Sequence, residues 1–325
     1  MTFINMAVVE AAQPLKSAHY RFPRAELLRR MLSECLTDYY LKASIGQPFE
    51  ARGLLVTGKS RVGKTRELER MITEFNETKT AMPNGKPASI VQSRLSGKVT
   101  SSKDLAVKAL KALGYPSMPR ATENEMWERV HQQAAHLGVI GIHFDEAQHA
   151  FTESGHAANG VVLNILKKIL KDMSCPMILI LSGVPVLGEH IEMEERGEDR
   201  LQLRYLLKAI HFDLINFKRD REALIKLVFT YAKKANIDFQ PLCDPKFFHR
   251  LGHAAGYRWG IVIELLIAAL TACLVEKEKE ISIKHFEQAF NEVYGMTTGF
   301  TPFTLPDFLH AFDAEKLIDQ LDRKH

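Results

Sequence analysis

Gly58-Lys59-Ser60-Arg61-Val62-Gly63-Lys64-Thr65 fits G-x-x-x-x-G-K-[ST] at every position, the pattern of a phosphate-binding loop. The residue types follow from the chemistry. Glycines let the backbone approach a polyphosphate without an intervening Cβ, and successive N–H groups then line a concave anion site at the start of a helix. Lys64 is placed to reach β- and γ-phosphates, and the Thr65 hydroxyl to ligate Mg²⁺. Residues 58–65, with Arg66 following, are therefore the expected nucleotide site. The flanking sequence agrees. Gly53-Leu54-Leu55-Val56-Thr57 reads as a short apolar strand, and over 66–75 the residues Leu68, Met71, Ile72 and Phe75 share one helical face. Strand, glycine loop and amphipathic helix is the order such a loop requires.

Composition is ordinary for a globular chain, with 46% hydrophobic and 25% charged residues in 325, enough for one large or two modest domains. The longest apolar stretch, 261–272, is interrupted by Glu264 and too short for a membrane span, so no membrane partner is expected. The N-terminus carries Glu10 and no signal-peptide pattern. Cys35, Cys175, Cys243 and Cys273 form no C-x-x-C pair and read as reduced thiols of a cytoplasmic protein. The 13 histidines show no metal-ligand clustering in sequence. His249 and His253, at i,i+4, read as helix surface, with a ligand pair as the alternative. A net charge of +4 permits a nucleic-acid partner without demanding one.

Along the chain, residues 1–22 read as an N-terminal arm or strap. Pro23 opens a helix that carries Leu27, Leu28, Met31, Leu32, Cys35 and Leu36. Strands are predicted at 53–57, 89–95, 139–146, 176–183 and 209–214. Helices lie between them: one after Ser101, as the cap of a capping box, and others at 123–137, 161–173 and, divided near Gly197, 187–207. Continuous apolar strands alternating with helices indicate a parallel sheet covered on both faces. From about Arg219 the alternation gives way to helices at 221–233, 244–254, 259–274 and 283–293. The expected organisation is thus an arm (1–22), an α/β core (23–216), a small all-α lid (217–295) and a tail (296–325) with an amphipathic stretch at 308–321.

Asp145-Glu146 ends the apolar run 139–144. Asp145 is expected to hold the Mg²⁺ shell with Thr65, and Glu146 to orient and deprotonate the attacking water. The separation of the two motifs suits the P-loop class in which another strand lies between the P-loop strand and the Asp-Glu strand. Ser182, at the tip of the next apolar strand, reads as a γ-phosphate or water contact. Arg200 and Arg204, one helical turn apart after Glu198 and Asp199, read either as an arginine finger for a neighbouring subunit's nucleotide, with Arg204 preferred, or as surface salt bridging. Arg258, in Gly256-Tyr257-Arg258-Trp259-Gly260, reads as a lid arginine directed at the γ-phosphate or as a helix-capping arginine beside Trp259.

This ordered set, on an α/β core with a helical lid, resembles an AAA+ ATPase. Within that class, Phe22-Pro23-Arg24-Ala25, Phe144-Asp145-Glu146-Ala147-Gln148-His149, Leu181-Ser182-Gly183-Val184-Pro185 and Arg200-Leu201-Gln202-Leu203-Arg204 are similar to the TniB family of transposition proteins, relatives of TnsC. The similarity covers roughly residues 20–295. It implies Mg²⁺-dependent ATP hydrolysis, assembly of copies of the chain on duplex DNA as a homo-oligomer or filament without base readout, and recruitment of a transposase and a target selector. Arg94, Lys98 and Lys103, with Thr100, Ser101 and Ser102 between them, supply a candidate phosphate-contacting surface and read equally as a solvated loop. The alternatives are an AAA+ signalling or protein-remodelling switch with no DNA role, and a nucleotide-stabilised scaffold in which Glu146 hydrolyses little. The loop interior Lys59-Ser60-Arg61-Val62 is bulkier and more basic than the small residues often found there, a departure that bears on turnover rate.

Overall fold

The computed structural model describes residues 3–96, 101–116, 120–151, 156–193, 202–296, 299–316 and 318. Contacts divide the chain into two compact units, Pro23–Asp213 and a second made of Met1–Phe22 with Leu214–His325.

The second unit begins with helix α1 (Met6–Lys16), which Asn5 caps by accepting from Val8 N. The segment read as an arm is thus a helix that packs within this unit. The first unit opens with α2 (Pro23–Ile45), started by Pro23 as expected and burying Ala25, Leu28, Leu32 and Cys35. The order then runs β1 (Gly53–Gly58), α3 (Lys64–Thr78), β2 (Ser89–Arg94), α4 (Ser102–Ala112), α5 (Glu123–Leu137), β3 (Val139–Asp145), α6 (His156–Lys171), β4 (Ile178–Gly183), α7 (Pro185–Met193), α8 (Gln202–Leu206) and β5 (Leu207–Phe212). Gly197 lies outside the described residues.

The five strands form one parallel sheet in the order β2-β3-β4-β1-β5. β1, β3 and β4 are buried along their whole length, as strands covered on both faces must be. The edge strands β2 and β5 are only partly buried. β4 lies between the P-loop strand β1 and the Asp145 strand β3, the arrangement expected from the spacing of the two motifs. The pairing sets the strand ends level: Val56 faces Ser182, and Phe144 faces Leu181. The loop after β1, Asp145 and Ser182 therefore all emerge at the carboxyl edge, where open parallel sheets carry their sites. Beneath that edge, α4 and α5 are locked by a bond from Trp127 Nε1 to Ser102 Oγ (3.0 Å). Ser101 caps α4 by accepting from Asp104 N.

The second unit adds α9 (Phe217–Ala235), α10 (Pro245–Ala254), α11 (Trp259–Val275), α12 (Ile283–Tyr294) and the short α13 (Phe308–Ala311). Its core is aromatic. Phe239, Phe247, Phe248, Phe286 and Phe303 meet ring to ring with centroids 4.9–6.2 Å apart, close enough for edge and offset contacts. Phe303 belongs to the predicted tail, which therefore contributes a ring to this core. Arg250 Nη1 donates to the Pro302 and Leu305 carbonyls (2.5 and 2.7 Å), with its guanidinium over the Phe308 ring. The amphipathic stretch from Phe308 is interrupted at Phe312, which leaves the helical backbone region. Among the described residues, no single helix is long and apolar enough to cross a membrane.

Candidate nucleotide site

The loop between β1 and α3 turns on two glycines in conformations that disfavour a side chain, Gly58 (φ +155°) and Gly63 (φ +100°). A Cβ on Gly58 would stand 2.6 Å from the Phe212 carbonyl oxygen. Arg61, in the loop interior, also sits in the left-handed region (φ 61°), an uncommon state for a non-glycine residue. Lys64 is 6% exposed, and its Nζ donates to the carbonyls of Gly58 (2.7 Å) and Lys59 (3.0 Å). Burial pulls its pKa below the ordinary ammonium range, with Glu146 and Asp145 opposing that shift. From α2, Arg24 donates to Val62 O and to Asp213 O (3.4 Å), with its guanidinium 4.9 Å over the Phe212 ring. Two cations thus hold the loop by its carbonyls at the start of a helix, a geometry suited to cradling an anion.

Across the sheet edge, Thr65 Oγ1 donates to both oxygens of Asp145 (3.2 and 3.1 Å), and Ser182 Oγ donates to Asp145 Oδ1 (2.5 Å). Three chain segments far apart in sequence therefore meet on one carboxylate. All of the donor atoms are oxygen, the set that suits a hard divalent cation, and Thr65 with Asp145 fits Mg²⁺. A residue the sequence reading passed over lies behind them. His143 is 1% exposed, with Nε2 2.8 Å from Ser182 Oγ and Nδ1 3.2 Å from Gln92 Oε1. Burial pushes its pKa down to about 4, so the imidazole is neutral at pH 7 and acts as a polar backstop to Ser182. Its signal in the sequence is one titratable residue inside the apolar run 139–144.

Glu146 follows Asp145 in the left-handed backbone region (φ 55°) and starts a single 3₁₀ turn, Ala147–Ala150. Its Oε2 accepts from Gln148 Nε2 at 2.5 Å, and Gln148 Oε1 accepts from Val184 N at 3.3 Å. Gln148 lies within the segment Phe144–His149 that carries the family resemblance, yet the sequence assigns it no role of its own, because an i,i+2 contact across a 3₁₀ turn leaves no periodic trace.

The other expected residues lie on or beside other elements of the fold, or outside the described residues. Arg204 is exposed on the five-residue α8, beside Tyr205, itself 74% exposed. Arg200 and Lys98 lie outside the described residues. Arg94 is exposed at the end of β2, paired in register with Asp145, and Lys103 is half-buried in the first turn of α4. Arg258 belongs to the helical unit. There it is 5% exposed and N-caps α11 without a side-chain cap bond, its Nη1 donating to Gly256 O (3.3 Å) and Nη2 to Glu315 Oε2 (3.5 Å).

The histidine expectations need correction. His253 is not helix surface: it is 5% exposed, with Nε2 2.8 Å from the Phe312 carbonyl and Nδ1 3.1 Å from the Tyr257 hydroxyl. His249 stacks on Phe217, so the i,i+4 pair serves packing. Folding also brings Cys273, Glu278 and His285 together within 4.8 Å, which their spacing did not suggest. Ser282 N–H donates to His285 Nδ1 (3.0 Å), so the ring proton is on Nε2, facing Glu278 Oε2 (3.3 Å), while Cys273 Sγ donates to the Glu278 and Glu280 carbonyls. Ser282 and His285 form the capping box of α12, while His285 Nε2 makes no hydrogen bond.

Residues 47–190 match the family model described as AAA domain. The structure is similar to Cdc6p from Pyrobaculum aerophilum, with TM-score 0.62 at 12% identity, covering 86% of this chain and 70% of that one. It is also similar to the Aeropyrum pernix ORC1 protein in complex with DNA (TM-score 0.56, 15% identity, 87% and 69% covered) and to the ORC2 protein of the same organism in ADPNP-ADP complexes (0.55, 12%, 86% and 71%). This is the AAA+ P-loop fold. No curated protein matches the sequence. Within the AAA+ fold, β1 leads into the glycine loop 58–65, β3 ends at Asp145 and β4 carries Ser182, while the second unit supplies the helical region that follows the α/β core in sequence.

Proposed function

We propose that the chain is a Mg²⁺-dependent ATPase that oligomerises on duplex DNA in its ATP state and regulates DNA transposition by recruiting a transposase and a target selector. The observation that carries the ATPase reading is the convergence of Thr65 and Ser182 on the Asp145 carboxylate, beside Lys64 and one residue from Glu146. Lys64 and the backbone of residues 58–66 hold the phosphates, and Thr65 and Asp145 hold Mg²⁺. When bound, that ion neutralises charge on the phosphate oxygens. Glu146 accepts the proton of the water whose oxygen attacks the γ-phosphorus as the bond to the leaving diphosphate breaks. Ser182 orients that water or a γ-oxygen. Arg204, exposed on α8, is the preferred finger for a neighbouring copy, with Arg200 second, and Arg258 is assigned to the γ-phosphate from the lid.

For DNA, Arg94 and Lys103 flank the segment that contains Lys98, and hydroxyl-bearing residues accompany them. Such a surface contacts phosphates without reading bases. Support comes from the fold shared with a DNA-complexed ORC1 protein and from the TniB-like motifs around Pro23, Asp145, Ser182 and Arg204. The test is duplex DNA binding with ATP, with ADP and without nucleotide across a salt series. Tight, salt-sensitive binding confined to ATP, weakened in Arg94→Glu/Lys103→Glu, supports the reading. Equal affinity in all three states refutes the gating, and an unaffected charge-reversal variant refutes the surface. Loss of insertions in cells carrying Lys64→Ala tests the transposition role.

A further inference from the structure

We propose that Gln148 is a positioning residue that holds the Glu146 carboxylate in a resting orientation and couples its release to the tip of β4. The inference deepens the reading of Glu146 as the base and rests on it.

Glu146 leaves β3 in the left-handed region, and the 3₁₀ turn that follows brings the chain back so that residue 148 lies over residue 146. The Gln148 amide then works at both ends. Its nitrogen donates to Glu146 Oε2 at 2.5 Å, and its oxygen accepts from the Val184 backbone nitrogen at 3.3 Å. Val184 is two residues beyond Ser182, whose hydroxyl is bonded to Asp145. One planar group therefore spans from the base to the strand tip that faces the metal-binding carboxylate.

Gly183 makes this bridge possible. A Cβ there would sit 2.3 Å from Gln148 Oε1 and 2.9 Å from Leu187 Cδ2, so only glycine leaves the amide its place. A carboxylate that accepts so short a bond has one oxygen occupied and its rotamer held, and bonds to a charged acceptor are among the stronger ones in proteins. A water that needs that oxygen must first displace the amide. A shift of the β4 tip removes the other anchor, Val184 N, and lets the amide turn away. Ligand contact at Ser182 is thereby transmitted to Glu146 through two hydrogen bonds.

The test is steady-state ATP turnover of the full-length protein with Mg²⁺, separated into kcat and KM, for wild type, Gln148→Leu, Gly183→Ala, Glu146→Gln and the Gln148→Leu/Glu146→Gln double variant. Leucine keeps the side-chain volume and removes both amide contacts; alanine at 183 displaces the amide without touching it chemically. Binding of a fluorescent ATP analogue reports that each variant is folded. The expected result is a rise in kcat of roughly 3- to 10-fold in Gln148→Leu, the scale of one released hydrogen bond, with KM within about twofold. Gly183→Ala should follow in the same direction, and the double variant should be as inactive as Glu146→Gln. Unchanged or reduced kcat in Gln148→Leu with intact analogue binding overturns the proposal while leaving Glu146 as base. Equal turnover of wild type and Glu146→Gln overturns the base assignment itself and the proposal with it.

Discussion

Placing alanine at Gly58 tests whether the close approach of the P-loop to the end of β5 is a built feature of the fold. The added Cβ would meet the Phe212 carbonyl oxygen at 2.6 Å, Phe212 Cβ at 3.0 Å and Val62 Cγ2 at 3.2 Å. The first of these is 0.8 Å short of the 3.4 Å at which ordinary contact begins. The obstacle is backbone in register with Gly58 itself, so no rotamer change relieves it, and the strand end must move. Overpacking of this kind costs about 1–3 kcal/mol, and holding a non-glycine residue at φ +155° costs roughly another 1–3 kcal/mol. At about 2–4 °C per kcal/mol for a unit of this size, the midpoint for the α/β unit falls by roughly 4–24 °C. Gly46 is the control. It also has positive φ (+73°), yet a Cβ there meets nothing within 4 Å, so Gly46→Ala carries only the conformational share. Thermal unfolding followed by circular dichroism, with and without an ATP analogue, reads both. Gly58→Ala should lose more midpoint than Gly46→Ala and most of its stabilisation by the analogue. Equal midpoints for the two variants would refute the steric argument.

Four further outcomes are expected. Phe286→Ala removes a fully buried ring that packs on Phe239, Phe247 and Phe303 and should cost about 3–5 kcal/mol in urea unfolding of the helical unit; a loss under about 1 kcal/mol would mean the aromatic core can collapse around the gap. Ser182→Ala leaves His143 Nε2 facing no hydroxyl in a buried site, which should cost about 1–3 kcal/mol and slow ATP turnover, and a variant with wild-type stability and rate contradicts that role. Because the folded-state pKa of His143 is pushed down from the usual 6.5 to about 4, the unfolded chain binds the extra proton first: stability is constant above about pH 6.5 and declines by about 1.4 kcal/mol per unit towards pH 4, and His143→Gln should flatten that decline in denaturant titrations. Cys35, Cys175 and Cys273 have thiol pKa values pushed up to about 11, with burial the largest cause, whereas Cys243 is exposed; a thiol reagent at pH 8 should therefore label one site in the native protein and four after denaturation, and rapid native labelling of Cys35 would count against its packing.

Local chemistry made much of this molecule readable in one dimension. The P-loop announces itself because only glycine tolerates its backbone and only a cation with a neighbouring hydroxyl suits a polyphosphate and its metal. The strands of the sheet interior are legible as unbroken apolar runs because both faces are covered, and Pro23 and Ser101 mark helix starts, one by its fixed φ and the other by accepting from a backbone N–H three residues on. Tertiary structure decided what depends on neighbours distant in sequence. His143 and Gln92 are 51 residues apart, and Arg24 reaches a loop 38 residues on; neither contact has a period or a spacing. The tail looked separate because Phe303 and Phe308 follow a glycine- and threonine-rich break, yet burial of those rings joins it to the helical unit. Sequence alone therefore determined that a glycine loop of phosphate-binding pattern sits on a parallel sheet. Only the fold decided that one carboxylate, Asp145, gathers Thr65 and Ser182, because strand order and register, which no single segment encodes, bring β1, β4 and β3 side by side with their ends level.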